Sequence, residues 1–403
     1  MIAQLDPLFE TGEVGLEVFL VVAIKVVAAF ALLLVAVMLY IWFMRKVIAD
    51  MQNRIGPNRA GPFGVLQTLA DGIKLFFKEQ TIPSSADRPV FRLAPYLSIM
   101  PAFLMFCVIP VGGQVSILGR ETLLQVVDLP VGALWILAMS GIGVYGIMLA
   151  GWASGSKYPL LGSVRATAQL LSYEAAFGLS ILGVLVHAGT LSTRGIVADQ
   201  YSTAWHATFT EGYWRPAILA FAIFVIAALA ETNHPPFDLV EAEQELVGGF
   251  NTEYSGIRFA IFFLAEFMNV ITMSAVAVTL FLGGPSGPLL GFLDESNVLN
   301  TWVMPVFWFM LKVVALLFAT VWVRASLPRM RYDRLMSFGW KFLIEAAIVW
   351  VLISAVFVYV DDKDYDTGTT IAIWFGVVGA AALALVVLYL CVPKRGEQIE
   401  EFR

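Results

Sequence analysis

The 403 residues are 59% apolar and only 14% charged, against roughly 45–50% and 25% in soluble domains, which excludes an ordinary water-soluble domain. The net charge of −6 says little in such a chain, where the placement of charge matters more than its sum. Cys107 and Cys391 lie in separate apolar segments, so neither a disulfide framework nor a thiolate metal site is indicated.

Taken in chain order, the first 17 residues hold four acids, no Lys or Arg and no small-residue cleavage pattern, so no cleavable signal is expected. Nine apolar stretches then reach or approach the roughly 20 residues that cross a bilayer. They run over 18–43, 93–111, 131–150, 166–188, 216–231, 257–282, 302–323, 340–360 and 370–391. Only helices satisfy the backbone inside such segments, so the expected fold is an all-α polytopic transmembrane bundle. With the N-terminus outside, 19 of the 25 Lys and Arg fall in inward loops and the tail, and four in outward loops. The positive-inside rule therefore sets the N-terminus outside and the C-terminus in the cytoplasm.

The inward loop at 45–92 contains "RIGPNRAGPFG", in which Arg-x-Gly-Pro occurs twice. The prolines fix φ and each Gly-Pro enforces a turn, so a stiff loop carries Arg54 and Arg59. Such a basic juxtamembrane loop also suits anionic lipid headgroups. In the following "FGVLQTLADGIKLFFK", Leu66, Leu69, Ile73, Phe76 and Phe77 recur at three- and four-residue steps, with Gln67, Asp71, Lys74 and Lys78 opposite. The 63–78 helix is too short to cross and is expected to lie along the membrane interface on the cytoplasmic side.

Some patterns lack their context. Gly141–Gly146 reads G-x-G-x-x-G inside the third span, with no preceding strand, and close helix packing is the better reading. Asp362, Asp364 and Asp366 resemble the start of a calcium loop, but Gly368 is misplaced and no Glu closes it. His187, His206 and His234 lie far apart, without metal-ligand spacing. No P-loop, haem motif or iron–sulfur cysteine set occurs. No metal site and no redox cofactor are expected in this chain.

Ionisable residues inside spans are costly and are functional candidates by default. They are Lys25, Glu174, Glu231, Glu266, Lys312 and Glu345, of which Lys25 and Glu345 lie near span edges and can snorkel. Glu266 and Lys312 are deeper, and Lys312 is a candidate intramembrane charge partner. From Glu231 to Glu253 stand six carboxylates (Glu231, Asp238, Glu241, Glu243, Glu245 and Glu253) and neither Lys nor Arg, on the side where basic residues are expected. Pro235 and Pro236 disfavour helix for the residues before them. The acids can fold back against the span ends, where they share protons, or form a solvated loop that docks a basic partner.

Four segments, "MQNRIGPNRAGPFGVLQTLADGIKLFFKE", "GWASGSKYPLLGSVRATAQLLSYE", "FDLVEAEQELVGGFNTEYSG" and "RASLPRMRYDRLMSFGWK", together resemble the H-subunit family of bacterial proton-pumping NADH:quinone oxidoreductase, equivalent to mitochondrial complex I subunit 1. The resemblance implies a membrane domain over 1–360, with quinone-tunnel loops at 45–92, 151–165, 232–256 and 324–339, and a C-terminal extension at 361–403 with a ninth span. It implies the heel of the membrane arm, where the soluble arm's quinone-site and iron–sulfur subunits dock beside small and antiporter-like membrane subunits. Quinone, ubiquinone or menaquinone, is the implied substrate. FMN and iron–sulfur clusters are implied in partner subunits only, lipid is an implied contact, and nucleic acid is not a partner.

Position by position, the resemblance assigns Arg54, Arg59 and Asp71 to the tunnel entrance. It assigns Glu174, Glu231 and Glu266 to an acidic path from tunnel to membrane interior, and Asp238, Glu241, Glu243 and Glu245 to the acidic loop beside the tunnel. Arg329 and Arg331 are implied as the basic counterpart of those acids. Met44 stands where the family usually has Glu, His234 where it usually has Arg, and Glu345 where many members have Pro. His234 still falls within the implied tunnel and can make that position pH-sensitive. Two rivals are the equivalent subunit of a membrane-bound energy-converting hydrogenase or formate-hydrogen lyase, and a secondary ion transporter. The transporter reading lacks the internal repeat that such folds usually carry.

Overall fold

A computed structural model describes residues 6–10, 15–202, 217–239, 247–288 and 297–363, with positions 373, 376 and 379. Glu241, Glu243 and Glu245, His206 and all of the ninth expected span but those three positions lie outside the described residues. The described chain is helical apart from one small hairpin.

A short helix α1 (Pro7–Glu10) precedes α2 (Leu16–Met51), a 36-residue helix of about 54 Å at 1.5 Å per residue, longer than the roughly 30 Å hydrocarbon core. It stops at Asn53, whose φ of +50° belongs to the left-handed region, just before Gly56-Pro57. Then follow α3 (Gln67–Phe77), α4 (Arg88–Phe106), β1 (Gln114–Ile117) and β2 (Arg120–Leu123). The two strands pair antiparallel, Ile117 facing Arg120, across a two-residue turn in which Leu118 and Gly119 both have positive φ. Next come α5 (Gly132–Ala153), α6 (Lys157–Ala188), α7 (Thr193–Ser202), α8 (Ala217–Glu231), α9 (Gly256–Phe281), α10 (Met304–Ser326), α11 (Tyr332–Phe338) and α12 (Ile344–Asp362).

Seven helical runs among the described residues are long and apolar enough to cross a membrane, and α8 is a shorter apolar helix. Each of the first eight expected spans thus has its helix. The edges differ where polar residues continue a helix beyond the apolar run: α6 begins at Lys157, and the run containing α12 begins at Tyr332. The expected interfacial helix is α3, whose 11 residues cannot cross. Its Leu69, Ile73, Phe76 and Phe77 are exposed, as suits a face turned to lipid or a neighbour.

Helix α9 is the centre of the bundle, with 72% of its apolar window buried against 22% for α2. It packs on α2, α4, α8 and α10. Two of the three glycines of the discounted G-x-G-x-x-G, Gly141 and Gly146, have packing roles on α5, whereas Gly143 faces open space. A Cβ at Gly141 would sit 2.9 Å from Glu174 Oε1, and one at Gly146 would collide with Ser98 of α4.

Two intramembrane lysines have structural partners. Lys25 does not snorkel: its ammonium is buried, 2.8 Å from Asp6 Oδ2 and 2.9 Å from Thr122 Oγ1, joining α2 to the first residues and the hairpin. Lys312 donates to the carbonyls of Leu282 (2.6 Å), Gly284 (3.0 Å) and Ser286 (2.6 Å), satisfying the backbone just past the C-terminus of α9. Gln200 completes that end by donating to Thr279 O and accepting from Gly283 N. Glu266 lies about 24 Å from this point along α9, so Lys312 and Glu266 do not pair.

A candidate proton site of two carboxylates

Helix α8 ends at Glu231 because "TNHPPFD" cannot continue it: Asn233 has a φ of +55° and two prolines follow. The chain turns back under the helix ends instead of leaving for solvent. Gln169 of α6 holds it there, donating to the carbonyls of Ala230 (2.9 Å) and Phe237 (2.8 Å). Met330 N donates to Pro236 O at 3.0 Å from the other side. Glu231, Thr232, His234 and Phe237 are all buried as a result.

Glu231 and Glu266 line one cavity between α4, α5, α8 and α9, together with Ser98, Ser140, Asn233 and Asn269. Its volume of about 70 Å³ compares with the roughly 10–15 Å³ that one water occupies by the same measure, so several waters fit. Ser140 Oγ donates to Glu231 Oε1 at 2.6 Å. Glu231 Oε2, Ser98 Oγ and Asn269 Oδ1 are buried and lack a hydrogen-bond partner among the described residues. Buried polar atoms are rarely left so, and a polar cavity of this size supplies water to satisfy them. The arrangement can hold a hydrogen-bonded chain between two carboxylates. Glu174 does not line this cavity, but its carboxylate lies against Gly141, the residue after Ser140 on α5.

On the loop side of Glu266, His234 Nδ1 is 3.3 Å from Glu266 Oε1, and Arg324 Nη1 is 3.3 Å from His234 Nε2 and 3.2 Å from Met44 Sδ. Tyr40 and Thr320 hydroxyls meet at 3.2 Å beside them. His234 lies beyond the end of α8, and burial, then the Arg324 guanidinium, push its pKa down to about 3 against the opposing pull of Asp238. The imidazole is therefore neutral at physiological pH.

The family model described as NADH dehydrogenase matches residues 24–355. The chain is 50% identical to the NADH-quinone oxidoreductase H-subunit of Frankia alni over 403 residues, covering 99% of this chain and 86% of that protein. It is also 50% identical to the protein of the same name from Frankia casuarinae over 383 residues, covering 95% and 82%. The chain belongs to the NADH dehydrogenase family.

The other expected site residues of this family member are spread along the helix ends. Asp71 is held by Arg45 (2.9 Å) and Gln67 (3.2 Å), neither of the arginines expected beside it. Arg54 and Arg59 are exposed on the loop, Arg54 bonded to Gln52 at 2.7 Å. Arg331 makes an exposed pair with Asp333 at 3.0 Å, while Arg329 is half-buried. Asp238 is half-buried in the folded-back loop. The sequence reading missed Ser98, Ser140, Asn269 and Arg324. Asn269 carried a usable signal, standing three residues after Glu266 on the same helix face.

Proposed function

We propose that this chain is the membrane-arm heel subunit of a proton-translocating NADH:quinone oxidoreductase. It builds much of the quinone tunnel from its inward loops, and it passes protons from the tunnel towards the membrane interior through Glu266, Glu231 and Glu174. Arg54, Arg59, Asp71, His234, Asp238, Arg329 and Arg331 belong to the tunnel side. Glu241, Glu243 and Glu245 belong to the acidic loop that senses the quinone's charge. The substrate is ubiquinone or menaquinone, and FMN and iron–sulfur chemistry belongs to the soluble-arm partners. The N-terminus is outside and the C-terminus cytoplasmic.

The observation that carries this reading is the cavity shared by Glu231 and Glu266, with its three unsatisfied polar atoms. Quinone reduction places negative charge in a poorly solvated tunnel. Two unit charges 4 Å apart interact by about 4 kcal/mol at an effective dielectric of about 20. That is about a thousandfold in a protonation equilibrium, enough to draw a proton onto a neighbouring carboxylate.

The test uses the assembled enzyme in sealed liposomes. Glu231→Gln and Glu266→Gln should each lower the protons moved per NADH oxidised. An unchanged proton yield in both variants overturns the carboxylate path.

A further inference from the structure

His234 sits between a cation and an acid. Arg324 Nη1 is 3.3 Å from its Nε2, and Glu266 Oε1 is 3.3 Å from its Nδ1. A guanidinium only donates and does not lose its proton in proteins, so Nε2 must accept and the proton of the neutral ring is on Nδ1. Nδ1 lies 3.3 Å from Glu266 Oε1 without hydrogen-bond geometry to it, so a relay needs a small turn of either side chain. A ring in that state cannot take up a proton at Nε2, because the guanidinium occupies its lone pair. The ring is 1% exposed and lies edge-on to Phe267 with centroids 5.7 Å apart. The charged or titratable groups facing it are Arg324 from α10, Glu266 from α9 and Asp238 from its own loop. Helix α2 adds Tyr40, bonded to Thr320, and Met44.

No carboxylate hydrogen-bonds Arg324 among the described residues, although Glu266 attracts it from nearby. The guanidinium's hydrogen-bond partners among the described residues are the imidazole and the Met44 sulfur at 3.2 Å, a neutral base and a thioether. A thioether is a poor acceptor. A carboxylate at position 44 would bind the guanidinium far more firmly, as charge-assisted hydrogen bonds are about twice as strong as neutral ones.

We propose that Arg324 latches His234 against proton relay, and that negative charge on the cytoplasmic loop draws the guanidinium away and opens a path through the ring to Glu266. This deepens the carboxylate-path reading and rests on it. In the open state a water or carboxylic acid of the loop gives a proton to Nε2. The Nδ1–H bond breaks as its proton passes to Glu266 Oε1, and the imidazole remains neutral with its tautomer exchanged. Return of Arg324 requires Nε2 to be bare again, so the latch closes only after the ring has rotated or exchanged its tautomer back.

The experiment compares Arg324→Gln, His234→Gln, the double variant and Met44→Glu in assembled enzyme reconstituted in liposomes. Proton yield per NADH is followed across pH. Arg324→Gln should lower the yield and add a limb of pH dependence near the ordinary imidazole value of about 6.5. Both effects should be absent when Arg324→Gln is added to His234→Gln, a departure from additivity of at least about twofold, the lower bound for residues in contact. Met44→Glu leaves both partners in place, and by pinning Arg324 it should lower the yield only while His234 is present. Additive effects, or a pH limb that survives in the double variant, overturn the latch. If Glu266→Gln leaves the yield unchanged, the carboxylate path itself fails; if it lowers the yield while the latch variants are additive, the latch alone fails.

Discussion

Glu231 is buried with one oxygen bonded to Ser140 and the other facing the cavity, so its two oxygens have different roles. Ser140→Ala removes a hydrogen bond to an ionisable group, a contribution of about 1.5–3 kcal/mol when charged. The expected result is a lower proton yield per NADH with intact assembly, measured in liposomes. Gly141→Ala should act on the neighbouring acid, since the new methyl would displace the Glu174 carboxylate. His234 gives a stability signature. Its pKa falls from 6.5 free to about 3 in the fold, so the unfolded chain binds the extra proton. Stability is fully present above the ordinary imidazole value and is lost as pH falls from there towards about 3. The thermal midpoint in detergent should therefore drop on acidification below about 6.5, and His234→Gln should flatten that drop; an equal drop in the variant contradicts the buried neutral imidazole. The sequence made Glu231 and Glu266 visible because an acid in an apolar run is conspicuous. Arg324 was hidden because an arginine at a cytoplasmic span edge reads as an orientation signal. Ser98, Ser140 and Asn269 were hidden because uncharged polar residues are common in spans.

At the scale of elements, side chains from other helices complete the helix ends. Lys312 serves three carbonyls past α9, and Gln169 staples the loop after α8. Lys312→Met leaves those carbonyls without their donor, at about 1–3 kcal/mol for each that water does not reach, partly offset because a charge no longer needs burying. The variant should unfold at lower temperature in detergent, and equal stability would mean the carbonyls have other partners. Gln169→Leu should loosen the loop carrying His234 and Asp238, seen as faster amide hydrogen exchange across 232–239. Sequence periodicity located α3, and the length of the apolar runs located the spans. Neither gave depth along the axis, so Lys312 and Glu266 looked like possible partners although about four turns of α9 separate their sites.

Over the whole molecule, the eight apolar helices within the described residues carry the expected order, and the start of α4 packs on the loop before α9. There Tyr254 stacks on Phe91 with centroids 4.0 Å apart, and Arg258 lies over the same Phe91 ring. The most direct measurement of the central claim, that Glu231 and Glu266 exchange protons through one hydrated cavity, is the reduced-minus-oxidised infrared difference spectrum of the assembled enzyme, in the protonated-carboxyl region. Carboxyl bands are expected that Glu231→Gln and Glu266→Gln each remove in part, each variant also shifting the band that remains. Bands identical in the parent and both variants would contradict it.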